Sequence, residues 1–344
     1  MALRRELQAA GRVLKAARSF DLDAESTRLA GPIRVQLQTV DRCNASCIMC
    51  PYADTARPGP AHRMPPDLFS SILRQLRALG TTRVFIPMFQ NEPLIDNDLA
   101  GRVREARDVL GAAVAIRLTS NGALLTTECG EALFSAGLDN VMVSLDAATE
   151  ETYRKIRHGL DFAQITRNVR QLLERGYGRR VTVSFLRQKV NEHELGEFVA
   201  RWRSLGANVL IQPVNNRAGA VGRFEELRVG PRRGPRSIAR RILHRLVPYC
   251  AAPFESLSIL CDGRVVLCCN DWQIAAVVGD LSRQSVAEVW NGTDVNSYRV
   301  ALCSGRSRDL EICRDCSLRA GVWGNPDNDN AGHLGTPEEL ENRV

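Results

Sequence analysis

No apolar run in this 344-residue sequence approaches the twenty or so residues that span a membrane. Nor does the chain open on the apolar core of a secretory signal, because Arg4, Arg5, Lys15 and Arg18 interrupt Met1 to Phe20. Both absences point to a reducing, cytoplasmic setting, where eleven cysteines are thiols for metal rather than partners in disulfides. Helix-turn-helix, zinc-finger and mixed aromatic-and-basic patterns are missing too, so the net charge of +7 indicates no nucleic-acid partner. Much of that charge is arginine between Arg217 and Arg245. The stretch reads as a solvated basic linker or as a contact for a phosphorylated or nucleotide-linked substrate. With 44% apolar and 25% charged residues, the chain is an ordinary globule, long enough for one large domain and a smaller one.

What the sequence does have is Asp41-Arg42-Cys43-Asn44-Ala45-Ser46-Cys47-Ile48-Met49-Cys50-Pro51, with three cysteines in eight residues. A disulfide would strand the third sulfur, and a closed zinc site needs a fourth ligand. A four-iron cluster held by three thiolates instead keeps one iron free for an exogenous ligand.

Around this stretch the periodicity alternates. Leu3, Leu7, Ala10, Val13, Leu14 and Ala17 predict an amphipathic helix, and Gly31-Pro32 ends the lead-in. Residues 33–40 read as a first strand, with the cysteine loop at its carboxyl end. Helices over 66–79, 99–110, 128–136, 162–175 and 192–205 then precede strands over 83–89, 113–119, 140–145, 180–186 and 208–214. Six βα units of this kind predict an α/β fold on a parallel sheet.

The spacing C-x3-C-x2-C resembles that of the radical S-adenosylmethionine (SAM) enzymes. The resemblance implies a partial (β/α)6 TIM-like barrel with its active site at the carboxyl ends of the strands. It also implies a [4Fe-4S] cluster on Cys43, Cys47 and Cys50 that chelates SAM and cleaves it to a 5'-deoxyadenosyl radical. Later strand ends extend it. Gln90-Asn91-Glu92-Pro93 is similar to the family's glycine-glycine-glutamate-proline motif, which meets the SAM amino group, with Gln90 and Asn91 in place of the glycines. Ser120-Asn121-Gly122 resembles its threonine-asparagine-glycine turn, and Ser144 and Asp146 stand where related enzymes contact the ribose. Arg157 ends a Tyr-Arg-Lys-Ile-Arg pattern whose last arginine pairs with the SAM carboxylate, a task suited to a planar guanidinium. Met49 takes a slot that is often aromatic beside the adenine, and Gln188 and Asn191 read either as site residues or as a polar helix start.

Beyond the arginine-rich stretch a cysteine-rich segment begins. Residues 257–260 and 265–268 read as a hairpin around Asp262-Gly263, and Cys250, Gly263 and Cys268 keep the spacing C-x(9–15)-G-x4-C, with Cys313-Arg314-Asp315-Cys316 following. This is similar to the SPASM and shorter twitch extensions of radical SAM enzymes, which bind auxiliary clusters. Asp271-Trp272, Gly279-Asp280-Leu281 and Val289-Trp290-Asn291 also match. Cys250, Cys268, Cys313 and Cys316 suffice for one auxiliary [4Fe-4S] cluster, with Cys269 the rival of Cys268 and a zinc ribbon the structural alternative. The expected divisions are a lead-in over 1–32, the barrel over 33–215, the linker over 216–247, the SPASM/twitch domain over 248–320 and a tail over 321–344.

The resemblance to aminocyclitol dehydrogenases and sugar epimerases implies action at a secondary alcohol of a carbohydrate or aminocyclitol. The substrate would then be a small molecule, sugar-like or phosphorylated, and the electron donor a flavodoxin or ferredoxin. Dehydrogenation would use the auxiliary cluster as electron acceptor, whereas epimerisation would need a hydrogen donor among Cys261, Cys269, Cys303 and Cys129. A maturase of ribosomal peptides or protein side chains is the alternative. It is disfavoured because only about thirty residues precede the first strand, too few for a peptide-recognition domain. A non-catalytic metal-binding scaffold is the third reading.

Overall fold

A computed structural model describes residues 29–56, 58–230 and 250–317. The helix expected within 3–20, most of the arginine-rich stretch and the tail lie outside these residues.

The expected alternation is realised as six parallel strands: β1 (Arg34–Leu37), β3 (Val84–Ile86), β4 (Ala115–Ser120), β5 (Asn140–Ser144), β7 (Val181–Arg187) and β8 (Asn208–Pro213). The helices α1 (Pro66–Leu79), α2 (Leu99–Leu110), α3 (Thr127–Ser135), α4 (Glu150–Ile156), α5 (Phe162–Leu172) and α6 (Leu195–Ser204) connect them. α1 begins with Pro66 at its first position, where a missing N–H costs nothing, and ends at Gly80 in the left-handed region at φ 67°. The helices bury one face of the sheet. Val35, Phe85, Ile116, Leu118, Val141, Val143, Val183 and Phe185 alternate along the strands and share one core with Phe69, Val103, Leu133, Val169 and Phe198.

The opposite face is mixed, with polar side chains set among Ile86, Met142 and Leu210. Register places Gln36 beside Ser258, Met142 between Thr119 and Thr182, and Ser144 beside Ser184. A small antiparallel ladder, β2 (Ser46–Cys47) with β6 (Arg157–His158), sets Cys47 opposite Arg157 across the end of the barrel.

The cysteine-rich segment continues the same sheet. β9 (Ser256–Ile259) pairs in parallel with β1, and β10 (Arg264–Val266) and β11 (Val277–Asp280) extend it antiparallel, giving nine strands in the order β11-β10-β9-β1-β3-β4-β5-β7-β8. The hairpin turns at Asp262-Gly263 as expected; Gly263 sits at φ 94°, where an added Cβ would press on the Ser282 backbone. Two longer helices, α7 (Val286–Trp290) and α8 (Thr293–Cys303), follow β11, α7 opening with a Ser285/Glu288 capping box.

At the far edge of the barrel, the loop after β8 closes on the segment's last cysteines. Asn216 donates to the Asp315 carbonyl and exchanges hydrogen bonds with Ser317. Residues 216–230, expected as linker, are therefore packed structure: Val221 and Leu227 are buried with Met49, Ile156 and Val214.

Candidate active site at the strand ends

Every strand of the barrel ends in residues that converge on the Cys43–Cys50 loop. Glu92, after β3, is almost wholly buried. Its Oε1 accepts from Ser120 Oγ at 2.7 Å and from the Leu94 N–H at 3.1 Å, and its Oε2 accepts from the Asn121 N–H at 2.7 Å. Burial pushes the Glu92 carboxyl up, and those three donors oppose the shift. Asn121 Nδ2 in turn donates to Asn44 Oδ1 at 2.7 Å, tying the turn after β4 to the cysteine loop. Asn91 caps its own turn by accepting from the Phe89 N–H, and Gln90, at φ 55°, donates to the Asp271 carbonyl of the cysteine-rich segment.

Asp146, after β5, is fully buried with its backbone in the left-handed region at φ 61°. Its Oδ2 accepts from Arg157 Nη2 at 2.5 Å and Nε at 3.0 Å, and its Oδ1 accepts from the Leu186 N–H. Burial alone would lower Arg157, but the Asp146 carboxylate more than reverses that and keeps the guanidinium charged. Arg157 Nη1 also donates to Cys47 Sγ at 3.6 Å. Gln188 and Asn191, both inaccessible to solvent, brace this corner: Asn191 Nδ2 donates to the Asp146 carbonyl and its Oδ1 accepts from the Gln188 N–H.

The three loop thiols lie close enough to act on one another. Burial pushes Cys43 up to about 12, with Glu92, Cys47 and Cys50 adding to the rise. Burial also raises Cys47 and Cys50, opposed at Cys47 chiefly by Arg157 and at Cys50 by the Tyr52 backbone N–H, Arg217 and Arg157. Buried thiols hold their protons, and iron displaces those protons on binding. Met49 packs with Ile156, Val214, Val221 and Leu227, and Phe224 lies against the same cluster, so the slot next to Cys50 is apolar.

The cysteine-rich segment forms a second group of thiols. Burial pushes Cys250 up to about 12, and Cys316, Cys313 and Cys269 raise it further. Burial likewise raises Cys268, with Cys269, Cys250 and Cys316 contributing. Cys268 and Cys313 both pack against the main core, whereas Cys269 packs with Phe89, Leu260, Val266 and Ile274. Among the described residues no three His, Cys, Asp or Glu side chains are grouped as ligands of a single metal ion. The donor set of thiols in electrostatic contact fits clusters at both places.

Of the other cysteines, Cys129 lies on α3 in the outer layer, and Cys303 packs with Cys250 and Cys313 around Phe254 and Leu302. Cys261 is buried, its N–H bonded to Gln38 Oε1, while Gln38 Nε2 donates to the Phe89 carbonyl. Arg217 was not singled out as a site residue from the sequence. It sits half-buried in a turn with φ 48°, followed by Ala218 at φ 56°. Its guanidinium lies over the Trp272 ring and 3.5 Å from Asn270 Oδ1, between Cys50 and the second module. Its place in a basic run masked that role.

Comparison with known proteins agrees with this geometry. Residues 37–201 match the model of the radical SAM superfamily, and residues 250–317 match that of an iron–sulfur cluster-binding domain, SPASM. The chain is 29% identical over 186 residues to a probable GTP 3',8-cyclase of Methanosarcina mazei, covering 52% of this chain and 53% of that protein. A GTP 3',8-cyclase of Lactiplantibacillus plantarum is 30% identical over 132 residues, 38% of this chain and 39% of its own. The chain thus spans about half the length, or less, of these curated relatives. Among solved structures, BtrN in complex with AdoMet and 2-DOIA superposes with a TM-score of 0.57 at 17% identity, over 87% of this chain and 98% of BtrN. Streptococcus suis SuiB bound to its precursor peptide SuiA gives 0.62 at 13% identity, over 89% and 77%. The enzyme anSMEcpe with bound AdoMet gives 0.58 at 13% identity, over 90% and 95%. All three share the fold.

Proposed function

The chain belongs to the radical SAM superfamily and carries a SPASM iron–sulfur domain, and on that premise we propose that it oxidises a secondary alcohol carbon of a carbohydrate or aminocyclitol. Cys43, Cys47 and Cys50 would hold the cluster that binds SAM, and Cys250, Cys268, Cys313 and Cys316 the auxiliary one. When bound, these groups supply a 5'-deoxyadenosyl radical at the first site and a one-electron acceptor at the second. Cys268 is preferred to Cys269 because it keeps the spacing C-x(9–15)-G-x4-C with Cys250 and Gly263.

The polar groups of the inner face carry the reading. Gln36, Thr119, Ser144, Thr182, Ser184 and Ser258 offer hydroxyls and amides to the barrel interior, and the fully buried Ser258 Oγ has no protein partner. A polyol can satisfy such groups, whereas an apolar substrate would leave the buried Ser258 hydroxyl unpaired at a cost of about 1–3 kcal/mol. The coverage of nearly all of BtrN, solved with 2-DOIA, supports a small-molecule site of the same extent. Glu92 and Asn91, fixed by their own hydrogen bonds, would frame the SAM amino group. Ser120 and Asn121 act through Glu92 and the cysteine loop, and Ser144 would face the ribose from the inner face. Epimerisation instead of oxidation would draw on Cys261 or Cys269, which lie at the seam near Phe89, rather than Cys129 or Cys303.

A peptide side chain is the second reading, favoured by the shared fold with SuiB, solved with its precursor peptide. The test is an anaerobic assay with SAM and dithionite over a panel of sugars, aminocyclitols and peptides, each sugar deuterated at one carbinol carbon. Deuterium in 5'-deoxyadenosine together with a ketone product is the expected result. Turnover of peptides alone would overturn the assignment.

A further inference from the structure

The surroundings of Cys47 support an assignment that rests on the reading of Cys43, Cys47 and Cys50 as cluster ligands and goes beyond it. The β2–β6 ladder places Arg157 opposite Cys47, and the guanidinium is held from behind by Asp146, to which it gives both its Nε and Nη2 hydrogens. Asp146 has no freedom to follow a displaced arginine. Its other oxygen is bonded to the Leu186 N–H, its carbonyl to Asn191, and its backbone is locked in the left-handed region. The Nη1 that remains donates to Cys47 Sγ at 3.6 Å, a charge-assisted N–H···S contact.

A sulfur bound to iron carries more negative charge when the cluster is reduced than when it is oxidised. A fixed cationic donor on that sulfur therefore favours the reduced form, and a carboxylate behind the donor offsets part of the gain. We propose that the buried Asp146–Arg157 pair sets the reduction potential of the core cluster through the Cys47 sulfur, Arg157 raising it and Asp146 restraining the rise. Both are positioning residues in this role. It is separate from any contact of Arg157 with the SAM carboxylate, because it operates before SAM binds.

The experiment is a redox titration of the reconstituted full chain without SAM, followed by electron paramagnetic resonance, for wild type, R157Q, R157K, D146N and the double variant D146N/R157Q. At the wild-type midpoint, R157Q should show a ratio of reduced to oxidised core cluster about tenfold lower, a shift of about 59 mV for one electron. D146N should move the ratio the other way, by a few-fold. R157K should restore most of the wild-type value. The double variant, which leaves no unpaired buried charge and so guards against misfolding of the single ones, should fall between R157Q and wild type. Equal ratios, or shifts of one sign for R157Q and D146N at full iron content, would overturn the proposal. Failure of the underlying reading looks different: Cys47→Ala would then keep the iron content and signal of the wild type.

Discussion

At Glu92 a single carboxylate gathers three donors from three positions of the chain, so its removal leaves the Asn121 N–H, the Leu94 N–H and the Ser120 hydroxyl buried together. Glu92→Ala should lower stability by about 3 kcal/mol or more, read from thermal unfolding before any cluster is assembled. Gly122 is as constrained: it lies at φ 80°, and an added Cβ would meet Val143 at 2.7 Å and Ile165 at 3.0 Å. Gly122→Ala should cost about 2 kcal/mol, checked by denaturant titration, whatever its effect on SAM binding. Residues that act within a few positions of one another were legible in the sequence: the cysteine triplet and the Glu92-Pro93 turn are local patterns. The pairing of Asp146 with Arg157 and of Asn121 with Asn44 was not. Each joins segments that only the folded chain brings together; the sequence suggested a ribose contact for Asp146 and a SAM-carboxylate contact for Arg157, and the ion pair between them is what the fold adds.

The elements followed the sequence where periodicity and punctuation agreed. α1 and α2 have the bounds expected of them, since Pro66 and Gly80 delimit one and Gly111 ends the other. The helix read to Arg175 leaves α geometry at Leu172, because Gly176 enters the left-handed region and opens a wide turn. β11 and α8 were not read as elements: β11 is four residues long, and α8 mixes Asp, Asn, Ser and Arg through its apolar positions. A testable element is the loop between β5 and α4, which carries Asp146. Glu194 pins it from the far side, accepting from the Ala148 N–H at 2.6 Å and from the Thr149 N–H and hydroxyl. Burial alone would push Glu194 up, but the Thr149 and Thr152 side chains and those backbone groups together hold it below its ordinary 4.5. A carboxylate held low contributes stability that is present above the unfolded value and lost as pH falls through the folded one. Glu194→Gln should therefore be about 1–3 kcal/mol less stable than wild type at neutral pH. That gap should close below pH 4.5, which chemical denaturation across pH would reveal.

For the whole molecule, two modules read separately from composition form one sheet and are clasped again at Asn216. If the four distal cysteines hold a cluster, its ligation energy is folding energy for the second module. Cys313→Ala should reduce iron from about eight to about four per chain. It should also lower the protease resistance of residues 250–317 while the barrel retains its core-cluster signal, and unchanged iron would remove Cys313 from the ligand set.

β1 is paired on one side by β3 and on the other by β9, whose residues follow it by roughly 220 positions. At a synthesis rate of about 5–20 residues per second, β9 emerges from the ribosome on the order of ten to forty seconds after β1. Through that interval Arg34–Leu37, the strand that leads into the cysteine loop, presents a bare edge to any other nascent chain. Yield in the cell should therefore depend on translation speed between codons 38 and 256 and on chaperones that shield strand edges, and a chain cut short before β9 should aggregate rather than accumulate as a barrel.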